Sequence, residues 1–386
     1  MFKKIIFLTS RFSQYDYRRY GLKFFKAKGL DCEVIDISNL INPNKTIFKN
    51  KEKHKDIKIL KPKTKNEFSK ILNFYNSKDV CCFVSIHYNY KNYFFFKELK
   101  KKNIIWGNFN FKRYPLNISN YIDKIRLNLQ YSFHIIDKIY KYFFLLFLKL
   151  RVLENINPSY QIVNNIKHHK NKKIYKIQSP AFAYDDFLDF ENLNKTSKEK
   201  NYIVYIDEDV PNHTDPLVHG YNTNLCEKKT FYKELNNFFD FIEKKYNLKI
   251  IIASYPRANY KSNPFNKRKI IKNKTISLVK YAKLVLIHNS TAVNYVALYK
   301  KKAIFINSSN YLLHYRLSIE SLAKEFGKEA IDISNKFYKI SDDNINQQKY
   351  SNYFKNYIKG YSNNKDLKSY ETFYRQLPKV FCKIVN

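Results

Sequence analysis

Three short runs hold the residues with chemistry to offer, and each follows an apolar stretch that reads as a β-strand. The first, directly after YIVYI (Tyr202 to Ile206), is Asp207, Glu208, Asp209, Val210, Pro211, Asn212, His213, Thr214, Asp215. Carboxylates and an imidazole packed this densely at a strand end suit proton transfer, or the holding of a cation or a sugar. Asp207 and Asp209 are the first choices for a general base and His213 the next; an acidic loop that caps a helix or faces solvent is the competing reading. The spacing fits no metal-ligand template, so no metal is expected. The second run follows LKIIIA and reads Ser254, Tyr255, Pro256, Arg257, with Arg257 placed to donate in bidentate fashion to a phosphate or carboxylate. The third follows LVLI and reads His288, Asn289, Ser290, Thr291, Ala292. Ser290 is an N-cap type residue, and a Ser/Thr turn that opens a helix offers amides, hydroxyls and the positive end of the helix dipole to an anion.

The elements that must position these residues alternate between strand and helix. In the first half, Lys4 to Thr9, Cys32 to Ile37, Asp79 to Ser85, Asn103 to Gly107 and Lys173 to Gln178 read as strands, and Tyr17 to Lys28 and Tyr90 to Lys101 as helices. The Lys-rich stretch Asn44 to Lys65 has no sustained period and reads as a surface loop or insertion. In the second half, Tyr202 to Ile206, Leu248 to Ala253, Leu284 to Ile287 and Ala303 to Ile306 are strands. Thr230 to Tyr246, Ile276 to Ala282 and Ser290 to Tyr299 are helices between them. The expected fold class is α/β, with two Rossmann-like doubly wound domains in sequence. Residues 1–193 form the first, 194–201 a hydrophilic linker, 202–341 the second, and 342–386 terminal helices that pack back across the junction. In open parallel sheets ligands bind at the carboxyl ends of strands, which is where all three runs fall.

From about Tyr202 to Ser308 the chain resembles the donor-binding domain of GT-B glycosyltransferases, in particular bacterial surface-polysaccharide transferases of the sialyltransferase-like kind. The likeness lies in the succession strand, SYPR, then ISLVKYAKLVLIHNSTAVNYVALYKKKAIFI. It implies transfer of a sugar from a nucleotide-activated donor to a surface-glycan or lipid-linked acceptor, a GT-B cleft between the domains, and no cofactor beyond the nucleotide-sugar substrate. It also implies that Ser290 and Thr291 bind the donor phosphate, with Tyr255, Arg257 and His288 beside them. Where similar enzymes carry a His-Pro pair, this chain has Tyr255-Pro256. Asp185, Asp186 and the end of the first strand at Thr9, Ser10 and Arg11 are further candidates for the base.

Composition narrows the partners. With 71 Lys plus Arg against 33 Asp plus Glu the formal net charge is +38, which favours acidic partners. Enrichment in Lys, Asn, Ile, Tyr and Phe together is a compositional source of the same charge. A nucleic-acid-binding protein is the opposing class, weakened because no helix-turn-helix, zinc-finger or RNA-recognition pattern concentrates the basic and aromatic residues. An epimerase-like or inactive relative of the same fold is a third reading. Five cysteines without a CxxC pair imply neither a disulfide framework nor a zinc cluster and fit a reducing cytoplasm. No stretch reaches the roughly 18 apolar residues of a membrane span. The segment His134 to Arg151 is a basic amphipathic helix that can lie on an anionic membrane face, or be buried between domains. A cytoplasmic enzyme with peripheral contact at the inner face of the plasma membrane is the expectation.

Overall fold

The computed structural model describes residues 2–10, 12–41, 56–111, 135–166, 174–193, 200–213, 224–335, 337–340, 344–360 and 367–385. Arg11, the Lys-rich stretch through residue 55, residues 122–134, the hydrophilic stretch through residue 199, and Thr214 and Asp215 lie outside the described residues. The chain divides into two compact units, one built from residues 1–112, 135–185 and 359–386, the other from Asp186–Ile358.

The first unit holds a seven-stranded sheet. Its strands are β1 (Lys4–Thr9), β2 (Asp31–Asp36), β3 (Lys58–Leu60), β4 (Val80–Val84), β5 (Ile105–Phe109), β6 (Tyr160–Val163) and β7 (Tyr175–Gln178), in the order β3-β2-β1-β4-β5-β6-β7. Every pairing is parallel. Helices cover both faces of such a sheet, so its strands are apolar on both sides. Alternate residues of β1 accordingly feed two cores. Ile5 and Phe7 pack with Phe25, Phe83, Tyr160 and Phe373, and Ile6 and Leu8 with Phe68, Phe95, Phe96 and Trp106. Gly107 lets β5 lie against the Tyr160 ring, because a Cβ there would fall 2.2 Å from a ring carbon.

The second unit repeats the plan with six strands: β8 (Tyr202–Ile206), β9 (Lys249–Ser254), β10 (Lys269–Lys272), β11 (Leu284–Ile287), β12 (Ala303–Asn307) and β13 (Ala330–Asp332). Their order, β10-β9-β8-β11-β12-β13, is again all parallel. Counted from its own first strand each sheet begins 3-2-1-4-5-6, the doubly wound order whose reversal point lies beside the first strand. The fold is therefore α/β with two Rossmann-like units, the element set of the GT-B architecture.

Local signals explain most of the elements. The helix Lys228–Tyr246 starts where the Glu227 side chain accepts from the amides of Lys229 and Thr230, and ends at Asn247 in the left-handed region. It buries Phe231, Leu235, Phe238, Phe239 and Ile242, a single stripe at helical spacing. The expected helix Tyr17 to Lys28 is two helices, Gln14–Arg19 and Leu22–Ala27, broken at Gly21 with φ 67°. The Asn44 to Lys65 stretch supplies the edge strand β3, and β6, β10 and β13 are strands that the pattern did not mark. The acidic AYDDFLDFEN run is the helix Phe182–Leu193. Of the residues after 341, the helix Gln347–Tyr353 belongs to the second unit and Ser369–Val385 to the first.

Candidate active site at the carboxyl edge of the second sheet

The strand β8 lies between β9 and β11, and its three carboxylates divide into three environments. Asp207 is buried and accepts three hydrogen bonds: Oδ1 from the Asp209 amide (2.9 Å), Oδ2 from the Tyr255 amide (3.0 Å) and from the Tyr260 hydroxyl (2.5 Å). It ties the loop after β9 to the end of β8. Burial raises its pKa above the usual carboxylate range, against the pull of these donors. Burial, and next the charge of Asp207, push the Tyr260 phenol far up, so Tyr260 stays a donor.

Glu208 does the same on the other side. Its Oε1 accepts from the Asn289 amide (2.7 Å) and its Oε2 from the Tyr315 hydroxyl (3.1 Å), which fixes the loop after β11. Asp209 differs from both. It sits at φ 49°, ψ 49°, a left-handed conformation that costs an L-residue about 1 kcal/mol and that Asp tolerates better than most. Its Oδ1 accepts from Asn212 Nδ2 (2.8 Å), while Oδ2 has no hydrogen-bond partner among the described residues.

Three expected residues meet beside this loop. The His213 ring stacks on Tyr255 at 5.5 Å and 29°, and the Arg257 guanidinium lies 5.0 Å from the centre of the same ring. Arg257 is exposed on the turn after β9, with its guanidinium held against the face of Tyr255. Ser290 and Thr291 occupy the corresponding turn after β11. Ser290 Oγ accepts from the Ala292 amide (3.3 Å), which leaves its hydroxyl hydrogen available to donate, and Thr291 is exposed. Because β9 and β11 flank β8, the two turns stand about 10 Å apart at the backbone. That span suits a diphosphate or nucleotide better than one phosphate.

Two expectations need correction on geometry. His288 is fully buried, with Nδ1 2.9 Å from the Ile306 carbonyl and Nε2 3.0 Å from the Tyr205 hydroxyl. A carbonyl only accepts, so Nδ1 carries the proton and Nε2 accepts from Tyr205. Both ring nitrogens are committed inside the protein. Desolvation lowers the pKa to about 4, and the ring is a neutral core strut that reaches no donor phosphate. The helix expected from Ser290 to Tyr299 is six residues, Val293–Leu298, with Ser290 and Thr291 in the turn before it. Their hydroxyls, rather than a helix dipole, are what this turn offers an anion.

The other base candidates have structural partners. Asp185 is buried and accepts from the amide (2.7 Å) and hydroxyl of Ser369, capping the last helix of the first unit. Asp186 accepts from the Tyr295 hydroxyl (2.7 Å) in the second unit. Thr9 is buried at the end of β1. The pattern gave no role to Glu234, which receives Ser308 Oγ (2.8 Å) and Asn310 Nδ2 and so fixes the loop after β12. The polar NSSN run after AIFI was the available signal. Among the described residues, no three His, Cys, Asp or Glu side chains converge as a metal ion would require.

No family model and no curated protein matches the chain. Solved structures do. The glycotransferase of kitacinnamycin is 8% identical at TM-score 0.47, over 86% of this chain and 87% of that one. The Methanocaldococcus jannaschii UDP-GlcNAc 2-epimerase, in complex with UDP-GlcNAc and UDP, is 14% identical at TM-score 0.47, over 97% and 99%. Acinetobacter baumannii MurG is 10% identical at TM-score 0.43, over 86% of both. At these scores the strand order of the two sheets, not the likeness, carries the fold assignment.

Proposed function

We propose that the chain is a glycosyltransferase that moves a sugar from a nucleotide-activated donor to a surface-glycan or lipid-linked acceptor. One observation carries the reading: two anion-ready turns, Tyr255-Pro256-Arg257 and Ser290-Thr291, flank a buried carboxylate, Asp209, whose Oδ2 has no hydrogen-bond partner among the described residues, at one edge of a doubly wound sheet. Group transfer from a nucleotide diphosphate or monophosphate needs charge stabilisation on the leaving phosphate and a base for the acceptor hydroxyl. Arg257, Ser290 and Thr291 supply the first, with Tyr255 orienting the arginine. Asp209 supplies the second, and His213, stacked on Tyr255, is the other group able to accept a proton. Asp207 and Glu208 are positioning residues that hold the two turns. The nucleotide-sugar is substrate, and the reading calls for no further cofactor. A cytoplasmic location with peripheral contact at an anionic membrane face completes it.

The test is a thermal-shift series with CMP, UDP, GDP, dTDP and ADP, since a ligand that binds only the native state raises its melting temperature. A shift with CMP indicates a nonulosonyl donor, and one with UDP or GDP a hexosyl donor. Arg257→Ala and Ser290→Ala are each expected to weaken nucleotide binding about tenfold, the scale of one charge-assisted hydrogen bond, with melting of the free protein unchanged. Absence of a shift with every nucleotide sinks the reading and returns the nucleic-acid class. Conversion of a donor with no acceptor present would instead identify an epimerase-like relative.

A further inference from the structure

Among the described side chains of the helix Ile135–Lys149, Phe144 is the one buried against the first unit. Phe144 is 8% exposed and packs on Tyr88 and Tyr93 with ring centres 6.0 and 5.6 Å away, while Tyr140 stacks on Tyr90. From Ile139 onward most of the remaining apolar surface of the helix is exposed. Ile139 is 47% exposed, Phe143 46% and Leu150 60%, and Tyr142, Leu145 and Phe147 are exposed as well. Ile139, Phe143, Leu146, Phe147 and Leu150 recur at i, i+4, i+7, i+8 and i+11, so they share one face. A continuous apolar face of this size on a protein surface marks an interaction site.

The charges beside it select the occupant. Lys141 and Lys149 are exposed two turns apart on the adjoining row, and Arg151 is exposed just past the helix end. From Lys138 to Leu153 the chain has no Asp or Glu. Asp137 and Glu154 bound the stretch, Glu154 already paired with Lys100, so two copies packed through this face would bring together an excess of like charge, which disfavours self-association. An anionic bilayer satisfies both parts, because acyl chains take up the apolar face and phosphate headgroups the cations. No helix among the described residues is long and apolar enough to cross a membrane. We infer that Ile139, Tyr142, Phe143, Phe147 and Leu150, with Lys141, Lys149 and Arg151, form an interfacial docking surface for an anionic phospholipid membrane. The inference names the surface behind the peripheral position in the reading above, and it is tested by lipid binding rather than by nucleotide binding.

The experiment is co-sedimentation of the full chain with vesicles of phosphatidylcholine containing about 30% phosphatidylglycerol, against pure phosphatidylcholine. The wild-type chain should bind the anionic vesicles and release with added salt. The pair Phe143→Ser with Leu150→Ser, and separately Lys141→Glu with Lys149→Glu, should each lower partitioning about tenfold or more. Both pairs should keep the melting temperature and nucleotide shift of the wild type, so that loss of docking and failure of the nucleotide site are told apart. Tyr142→Trp gives an independent readout, since the one native tryptophan, Trp106, is buried, and its emission should move to the blue on adding anionic vesicles. Equal binding to neutral vesicles, or no binding to anionic ones, overturns the inference. So does salt-labile binding that the serine pair leaves unchanged, which would assign it to dispersed basicity. A concentration-dependent dimer abolished by the serine pair would give the face to a second copy and also overturn it.

Discussion

At the residue scale, three consecutive acids end one strand and differ only in what reaches them. Asp207 is met by donors from the neighbouring loop, Glu208 by donors across the other neighbour, and Asp209 keeps Oδ2 without a hydrogen-bond partner among the described residues. Their substitutions should therefore separate. Asp209→Asn is expected to lower turnover by 100-fold or more, the range of general-base catalysis, with nucleotide affinity within about twofold of wild type. Asp207→Ala strands three donors and should cost about 2 to 3 kcal/mol of stability, visible as a lower urea midpoint, and should weaken nucleotide binding through the released Tyr255–Arg257 turn. Wild-type turnover in Asp209→Asn removes it as the base; an unchanged midpoint in Asp207→Ala removes its positioning role. The sequence placed all three acids at a strand end and made Asp207 and Asp209 equal first choices for the base, a choice the three donors on Asp207 overturn for that residue. The deciding partners, Tyr260 and Tyr315, lie 53 and 107 residues away, a distance no local pattern spans.

At the element scale, legibility followed burial except at β6, a four-residue strand buried between β5 and β7 that the pattern missed. The strands β1, β4, β8, β9, β11 and β12 are nearly continuous apolar runs, because helices cover both faces of a parallel sheet. The edge strands β3, β10 and β13 are short and partly exposed, so their sequences read like loops. His288 illustrates the cost of reading a type without its packing: it follows a strand, as a ligand-binding histidine would, yet it braces β11 against β8 and β12. That brace carries a pH signature. The folded pKa, about 4, lies below the ordinary 6.5, so between these values the unfolded chain takes up a proton that the folded chain does not. Its stabilisation is complete above pH 6.5 and is lost as pH falls through that window toward 4, about 3 kcal/mol in all. Urea midpoints at pH 7.5 and 5 should fall more for the wild type than for His288→Gln, which cannot titrate. Equal pH dependence in the two proteins would show that the ring protonates as readily folded as unfolded.

At the scale of the whole molecule, the first unit is completed by the far end of the chain. The helix Ser369–Val385 buries Phe373, Leu377 and Val380 in the core beneath β1, and the Phe373 ring lies 6.0, 6.3 and 5.4 Å from Phe25, Phe83 and Tyr160. Its start is held by Asp185, 184 residues earlier. Full burial of three such side chains is worth about 5 to 9 kcal/mol, on the scale of an entire domain's stability, and the uncovered sheet face would meet water as well. The second unit, Asp186–Ile358, owns all six of its strands and both turns of the candidate site without that helix. Removal of residues 359–386 should therefore unfold the first unit selectively. Hydrogen exchange should show protection lost in peptides covering β1, β4 and β5 and retained in those covering β8, β9 and β11, with the nucleotide shift still present. Protection that persists in β1 and β4 after truncation would mean the first core closes without its last helix. Loss in β8 and β11 as well would mean that the two units fold only together.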